Sequence, residues 1–135
     1  MNTTIEQRAY GLRRRVNLGF VETLDRVRAA LKDQGFGVLT EIDMQATMKA
    51  KLGAELPPYV ILGACNPPLA LRAVMAEPEV GMLLPCNVVV READGVVFVE
   101  AMDPAAAMAL AGSAAIEDVA REAKERLTKA LDALP

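Results

Sequence analysis

The sequence specifies an α+β domain, with a sheet of about five strands and helices packed on one of its faces. Three observations carry this expectation. Stretches 10–18, 36–42, 59–65, 82–92 and 96–102 alternate or run apolar with the period or length of strands. Stretches 20–34, 67–77 and 113–134 repeat apolar residues at helical spacing. Asp94-Gly95, between the last two strand stretches, is a two-residue hairpin signal that makes those strands an antiparallel pair.

Taken in order, residues 1–9 read as a loose lead-in to a single domain that spans 1–135. In the first strand Tyr10, Leu12, Val16 and Leu18 share a face, and Arg14 falls among them. Arg14 either snorkels to water near a sheet edge or points inward at a carboxylate or an anionic ligand. Phe20, Leu24, Val27 and Leu31 form the inner stripe of the first helix, and Gly35 can close it in the left-handed conformation. Phe36, Val38, Thr40 and Ile42 alternate in the second strand. A short helix over 44–53 follows, lined by Met44, Met48 and Leu52 and closed by Gly53.

Tyr59–Cys65 is apolar throughout. It reads as a central strand, covered on both faces or covered on one and dimerised on the other. Asn66 is a good N-cap and Pro67-Pro68 suit a first helical turn, with Leu69, Ala73 and Ala76 or Leu71 and Met75 inward. Pro85 removes a ladder donor and suggests a sheet edge or a bulge at Leu84–Cys86. With Ala93 opposite Val96, one face of the hairpin holds Cys86, Val88, Val90, Val97, Val99 and Ala101. The other holds Asn87, Val89, Arg91, Val96, Phe98 and Glu100. The first face is wholly apolar and so meets the helices. Ser113 caps the last helix, which turns Ile116, Val119, Ala120, Ala123, Leu127, Ala130, Leu131 and Leu134 inward.

Composition narrows function mostly by exclusion. The chain has 135 residues, a net charge of −3, no His and no Trp. An acidic chain whose basic residues cluster only at Arg13, Arg14 and Arg15 lacks the usual footprint of a nucleic-acid binder. No apolar run approaches the ~18 residues of a membrane span. The N-terminus has no apolar core of a signal peptide, so the expected compartment is the cytoplasm, where two cysteines are free thiols more often than a bridge.

Without His there is no Ser-His or Cys-His dyad and no His metal site, and two cysteines supply half of a closed zinc site. No metal and no cofactor is implied. The remaining candidates are Cys65-Asn66-Pro67-Pro68 and Leu84-Pro85-Cys86-Asn87. Cys65 lies at a helix N-terminus, where backbone N–H groups can lower a thiol pKa or hold an anion. The ordinary reading makes both cysteines small buried hydrophobes; the alternatives are a reactive thiol at Cys65 or Cys86, or a reversible bridge between them. Asn66 is a helix cap or a ligand-contacting amide, and Asn87 is exposed or pocket-lining. Asp43 and Asp103 each end a strand, where turn or cap duty is expected; to serve as a general acid/base pair they would have to meet at one end of the sheet.

The segments GFGVLTEIDMQATMKAKLG (35–53) and LGACNPPLALRAVMAEPEVGMLLPCNVVV (62–90), with the acidic hairpin after them, resemble the bacterial and archaeal domain-of-unknown-function 302 family. The distinctive pieces are C-N-P-x-x-A, on Cys65–Ala70, and G-x-L-L-P-C-N-V-V-V, on Gly81–Val90. The resemblance covers about Tyr10 to Asp103. It implies a mainly antiparallel sheet backed by helices, like the TATA-binding-protein fold, and a homodimer, but no activity. Fold likeness alone does not imply DNA binding. The leading expectation is a dimeric small-ligand-binding or accessory domain, with a pocket near Cys65, Asn66, Cys86 and Asn87. The rivals are a thiol enzyme or redox sensor using Cys65 or Cys86, and an interaction protein without a small ligand.

Overall fold

The computed structural model of the chain describes residues 4–135; the first three residues of the expected lead-in lie outside them. Six strands form one antiparallel sheet: β1 (Glu6–Gln7), β2 (Gly11–Val16), β3 (Gly37–Asp43), β4 (Tyr59–Cys65), β5 (Cys86–Ala93) and β6 (Val96–Met102). Their order across the sheet is β1-β2-β6-β5-β4-β3. The strand beyond the expected five is β1, drawn from residues that read as a lead-in. A tight turn, with Arg8 N–H donating to the Gly11 carbonyl at 2.7 Å, folds it back, and Arg13 ion-pairs with Glu6 across the ladder at 2.9 Å.

The helices are α1 (Phe20–Asp33), α2 (Met44–Leu52), α3 (Pro67–Ala76), α4 (Pro104–Met108) and α5 (Ala114–Asp132). Their ends follow local chemistry. Gly53 closes α2 at φ 64°, and the side chains of Asp43, Asn66, Asp103 and Ser113 accept N–H bonds at the starts of α2, α3, α4 and α5. The inner stripe of α5 is as the sequence specifies, with Ile116 and Leu127 fully enclosed. In α3, Leu69 and Ala73 face inward, while Leu71 and Met75 face water. Leu52 is likewise exposed rather than lining α2.

The β5–β6 hairpin keeps the expected register, Ala93 opposite Val96, because Asp94 and Gly95 both take positive φ, at 51° and 77°. Pro85 marks no edge. It stands just before β5, a strand paired on both sides, and Met82–Leu83 belong to a 3-10 turn (Pro78–Leu83) instead of a longer strand. The irregularity lies in β3, where the register shifts between Val38 and Thr40. Phe36 and Val38 therefore turn toward the helices, whereas Thr40 and Ile42 turn to the opposite face, and Leu39 is pushed outward. Thr40 and Pro85 close over Gly63, where a Cβ would overlap Thr40 Oγ1 and lie 3.0 Å from Pro85 Cγ.

Two apolar cores result. The larger lies between the sheet and α1 and α5, around Leu62, Val88, Val90, Val99 and Leu127. The smaller gathers Leu69, Ala73, Val80, Met108, Ile116, Val119, Ala120 and Ala123 from α3, α4, α5 and the 3-10 turn. Asp103 joins the second group to the sheet. Its buried carboxylate accepts from Gln7 Nε2 (2.8 Å), Lys124 Nζ (3.0 Å) and the Ala105 N–H (2.9 Å). Burial pushes its pKa up, but these three donors together outweigh burial and hold it below the ordinary value.

A carboxyl held low contributes stability that is present above the ordinary pKa and fades as pH falls through the folded value. Asp103→Ala should therefore lose about 1–3 kcal/mol in urea unfolding at pH 7. The gap to the wild type should narrow as pH is taken below the ordinary value of 3.8. A gap unchanged at low pH would contradict this role.

Candidate functional site

Strand register brings the two cysteines to one end of the sheet. Ala64 of β4 pairs with Cys86 of β5, and Cys65 pairs with Gly37 at the start of β3. Beyond this end, α3, α4 and α5 stand back from the strands and leave a cavity of about 300 Å³. Its walls are Phe36, Ala64, Leu69, Ala73, Pro104, Met108, Val119, Ala120 and Ala123. Leu39, Thr40, Cys65, Ala70, Leu84 and Pro85 stand toward solvent, and Cys86 is deep. Alanines at 73, 120 and 123 keep the space open, since longer side chains there would fill it. Their run in the inward stripes of α3 and α5 is the one sequence signal that could have pointed to a cavity.

Polar groups in this wall are few and engaged. Asn66 Oδ1 accepts the Leu69 N–H at 3.3 Å, and its Nδ2 donates to the Gln34 carbonyl at 3.4 Å. Gly35, at φ 83°, leaves room for that amide, which lies 3.0 Å from where a Cβ would stand. The expected attraction of the α3 N-terminus for anions is absent. Pro67 and Pro68 have no N–H, Leu69 N–H is taken by Asn66 Oδ1, and Ala70 N–H bonds the Asn66 carbonyl. The helix end adjoining Cys65 thus offers no free donor, and the cavity suits a neutral apolar occupant better than an anion.

Both cysteines are free thiols. Cys86 is 6% exposed; burial, with a smaller contribution from Cys65, pushes its thiol up to about 11. It stays protonated at neutral pH, the opposite of an activated nucleophile. Cys65 is half-buried at the cavity mouth.

The other candidates do not join this cavity. Asn87 projects to the uncovered face of the sheet, one residue away from Cys86 and on the opposite side. Arg14 is buried on the helix face. Its Nη1 donates to the Leu131 carbonyl in the last turn of α5, and its Nε has no partner. Burial lowers its pKa and Asp132 partly restores it; through its bond to the Leu131 carbonyl the guanidinium caps the C-terminal turn of α5. Asp43 ends β3 at one end of the sheet and Asp103 follows β6 at the other, so they cannot act as a pair. Among the described residues no group of three or more acidic, Cys or His side chains could hold a metal. Nor is any helix there long and apolar enough to cross a membrane.

Fold and cavity together define a two-layer α+β domain with an apolar cavity at one end of its sheet. The chain belongs to the family described as domain of unknown function DUF302, whose profile matches residues 12–134. The crystal structure of an uncharacterised conserved DUF302 protein from Bacillus stearothermophilus superposes with a TM-score of 0.88 at 30% identity. The match covers 93% of this chain and 98% of that one. No curated protein matches.

A thiol raised by burial contributes stability that is complete below its unfolded pKa and is lost as pH rises through the folded value. For Cys86 the window runs from 9.0 to about 11. Wild type should lose about 2 kcal/mol more than Cys86→Ala across this window, followed by chemical unfolding. Parallel losses in the two proteins would show that the thiol ionises freely.

Proposed function

We propose that this chain is a binding protein for a small, neutral, apolar molecule held between the cysteine-bearing end of the sheet and α3, α4 and α5. The observation that carries the proposal is the cavity of about 300 Å³, lined among the described residues by apolar groups, the two cysteines and Asn66, with Thr40 at its rim. A dry cavity half that size takes up benzene, so this one has room for about ten non-hydrogen atoms. In this reading Asn66 fixes the wall and Cys65 meets the ligand at the mouth. Cys86 is a floor residue. Its raised pKa weighs against thiol catalysis or redox sensing there.

The same proposal makes the protein a cytoplasmic homodimer. Free thiols suit a reducing compartment. The support for a dimer is α3, which is apolar on two sides: Leu69 and Ala73 enter the core, while Leu71, Val74 and Met75 form an exposed stripe. An exposed apolar stripe at i, i+3 and i+4 is the surface a second copy would cover.

Thermal unfolding with indole, p-cresol or 1-octanol should show a saturable rise in Tm of a few degrees, larger for 1-octanol than for octanoate. Ala120→Phe, which fills the cavity, should abolish it. No shift with any of the three, or an equal shift in the filled variant, would defeat the proposal. Sedimentation should give twice the 14.4 kDa chain mass, and Met75→Glu should give the monomer at unchanged helix content. A monomeric wild type would remove the dimer.

A further inference from the structure

We propose that the uncovered face of the sheet carries a second, separate site for a flat organic anion. Its charged group would sit among the arginines around Phe98 and its ring in the neighbouring groove. On this face Arg15, Phe98, Arg91 and Tyr59 follow one another across β2, β6, β5 and β4 in direct register. The guanidinium groups of Arg91, Arg13 and Arg15 stand 4.9, 5.3 and 5.7 Å from the centroid of the one Phe98 ring. Each such contact is attractive, and the mutual repulsion of three gathered cations works against it.

The counter-charges here are too few. Four guanidinium groups, those of Arg8, Arg13, Arg15 and Arg91, meet two carboxylates, Glu6 and Glu100. Arg91 is held by Glu100 through two nitrogens, and Arg13 is held by Glu6. Arg15 has no ion pair among the described residues, and Arg13 Nε is buried without an acceptor. In a chain of net charge −3 this is a local positive excess with unused donors. An anionic oxygen would supply what the face lacks.

A groove of about 370 Å³ opens beside the arginines, bounded by Tyr10, Arg13, Tyr59, Asn87, Val89 and Met102. From β5 and β6 Val89 and Met102 give it apolar surface and Asn87 and Glu100 polar groups, and Tyr10 and Tyr59 supply aromatic rings to its rim. Asn87 brings an amide to this groove and not to the cavity among the helices. The two sites therefore sit on opposite faces of one sheet and differ in chemistry. One is neutral and apolar, the other cationic with aromatic walls. The anion proposal is independent of the cavity reading.

Two sources would satisfy this chemistry, an aromatic carboxylate or a nucleotide phosphate. Titrating 1-naphthoate, its neutral analogue 1-naphthalenemethanol, adenosine monophosphate and inorganic phosphate separates them, followed by NMR of the arginine Nε–H and backbone amide signals. The expected result is saturable binding of naphthoate or of the nucleotide that weakens with salt. It should move the signals of Arg13, Arg15, Arg91, Tyr59 and Val89. Arg15→Gln should weaken it about tenfold, and Arg15→Lys less, as expected for one lost charge-assisted contact at an exposed position. The better of the two anions identifies the head group. Equal binding of the neutral analogue, binding untouched by Arg15→Gln, or shifts confined to Leu69, Ala73 and Cys86 would overturn the site. So would inorganic phosphate binding as tightly as either ringed anion, or no saturable binding at millimolar concentration.

Discussion

The buried carboxylate of Asp103 is the constraint on which the candidate site depends. One side chain ends β6, starts α4 through the Ala105 N–H, draws in Lys124 from α5 and fixes β1 through Gln7. Asn66 ties α3 to the end of β4, and Asp103 ties α4, α5 and β1 to the end of β6. Pro104 and Met108, which follow it directly, form one wall of the cavity, and Ala120 and Ala123 on the α5 that Lys124 anchors form another. An ionised group in that position is costly unless its acceptor capacity is used, and three donors use it. The cavity is thus held open by a polar anchor at its edge, and its lining contributes almost none.

The sheet separates two chemistries. Its helix side is dry: Val88, Val90, Val97, Val99 and Ala101 of the central hairpin are all enclosed. Arg14 is the one charged intruder of β2 there, and its use as a cap for α5 explains why a guanidinium is retained in an apolar row. The other side is wet and cationic around Phe98. Two adjacent residues, Cys86 and Asn87, therefore line hollows on opposite faces of the sheet although they are neighbours in the chain. The period-two geometry of a strand makes this unavoidable.

Much of this architecture can be read directly from residue pattern. The hairpin register follows from Asp94-Gly95, the α5 stripe from eight apolar positions, and the caps from Asn66 and Ser113. These are local rules, decided within a few residues. The failures are non-local. The register shift in β3 separates Phe36 and Val38 from Thr40 and Ile42, and nothing in that alternation signals it. β1 is held by Glu6 and Gln7 through partners as far away as Asp103. Pro85 reads as an edge marker, whereas it packs against Gly63 at the start of an inner strand. The cysteines and Asn66 were visible as candidates, but the cavity is a space between alanines on two helices, and a sequence does not write down a space. The anion reading of the α3 N-terminus fails for a reason that was visible: Pro67 and Pro68 supply no donor.

An apolar space persists at the cysteine-bearing end of the sheet in the folded protein. Xenon is the most direct probe, because it binds by dispersion alone and needs no polar partner. A crystal of the protein under xenon pressure should show a strong peak among Leu69, Ala73, Cys86, Met108 and Ala120, absent from the Ala120→Phe variant. A wild-type crystal with no xenon there, and those side chains closed upon one another, would contradict the account.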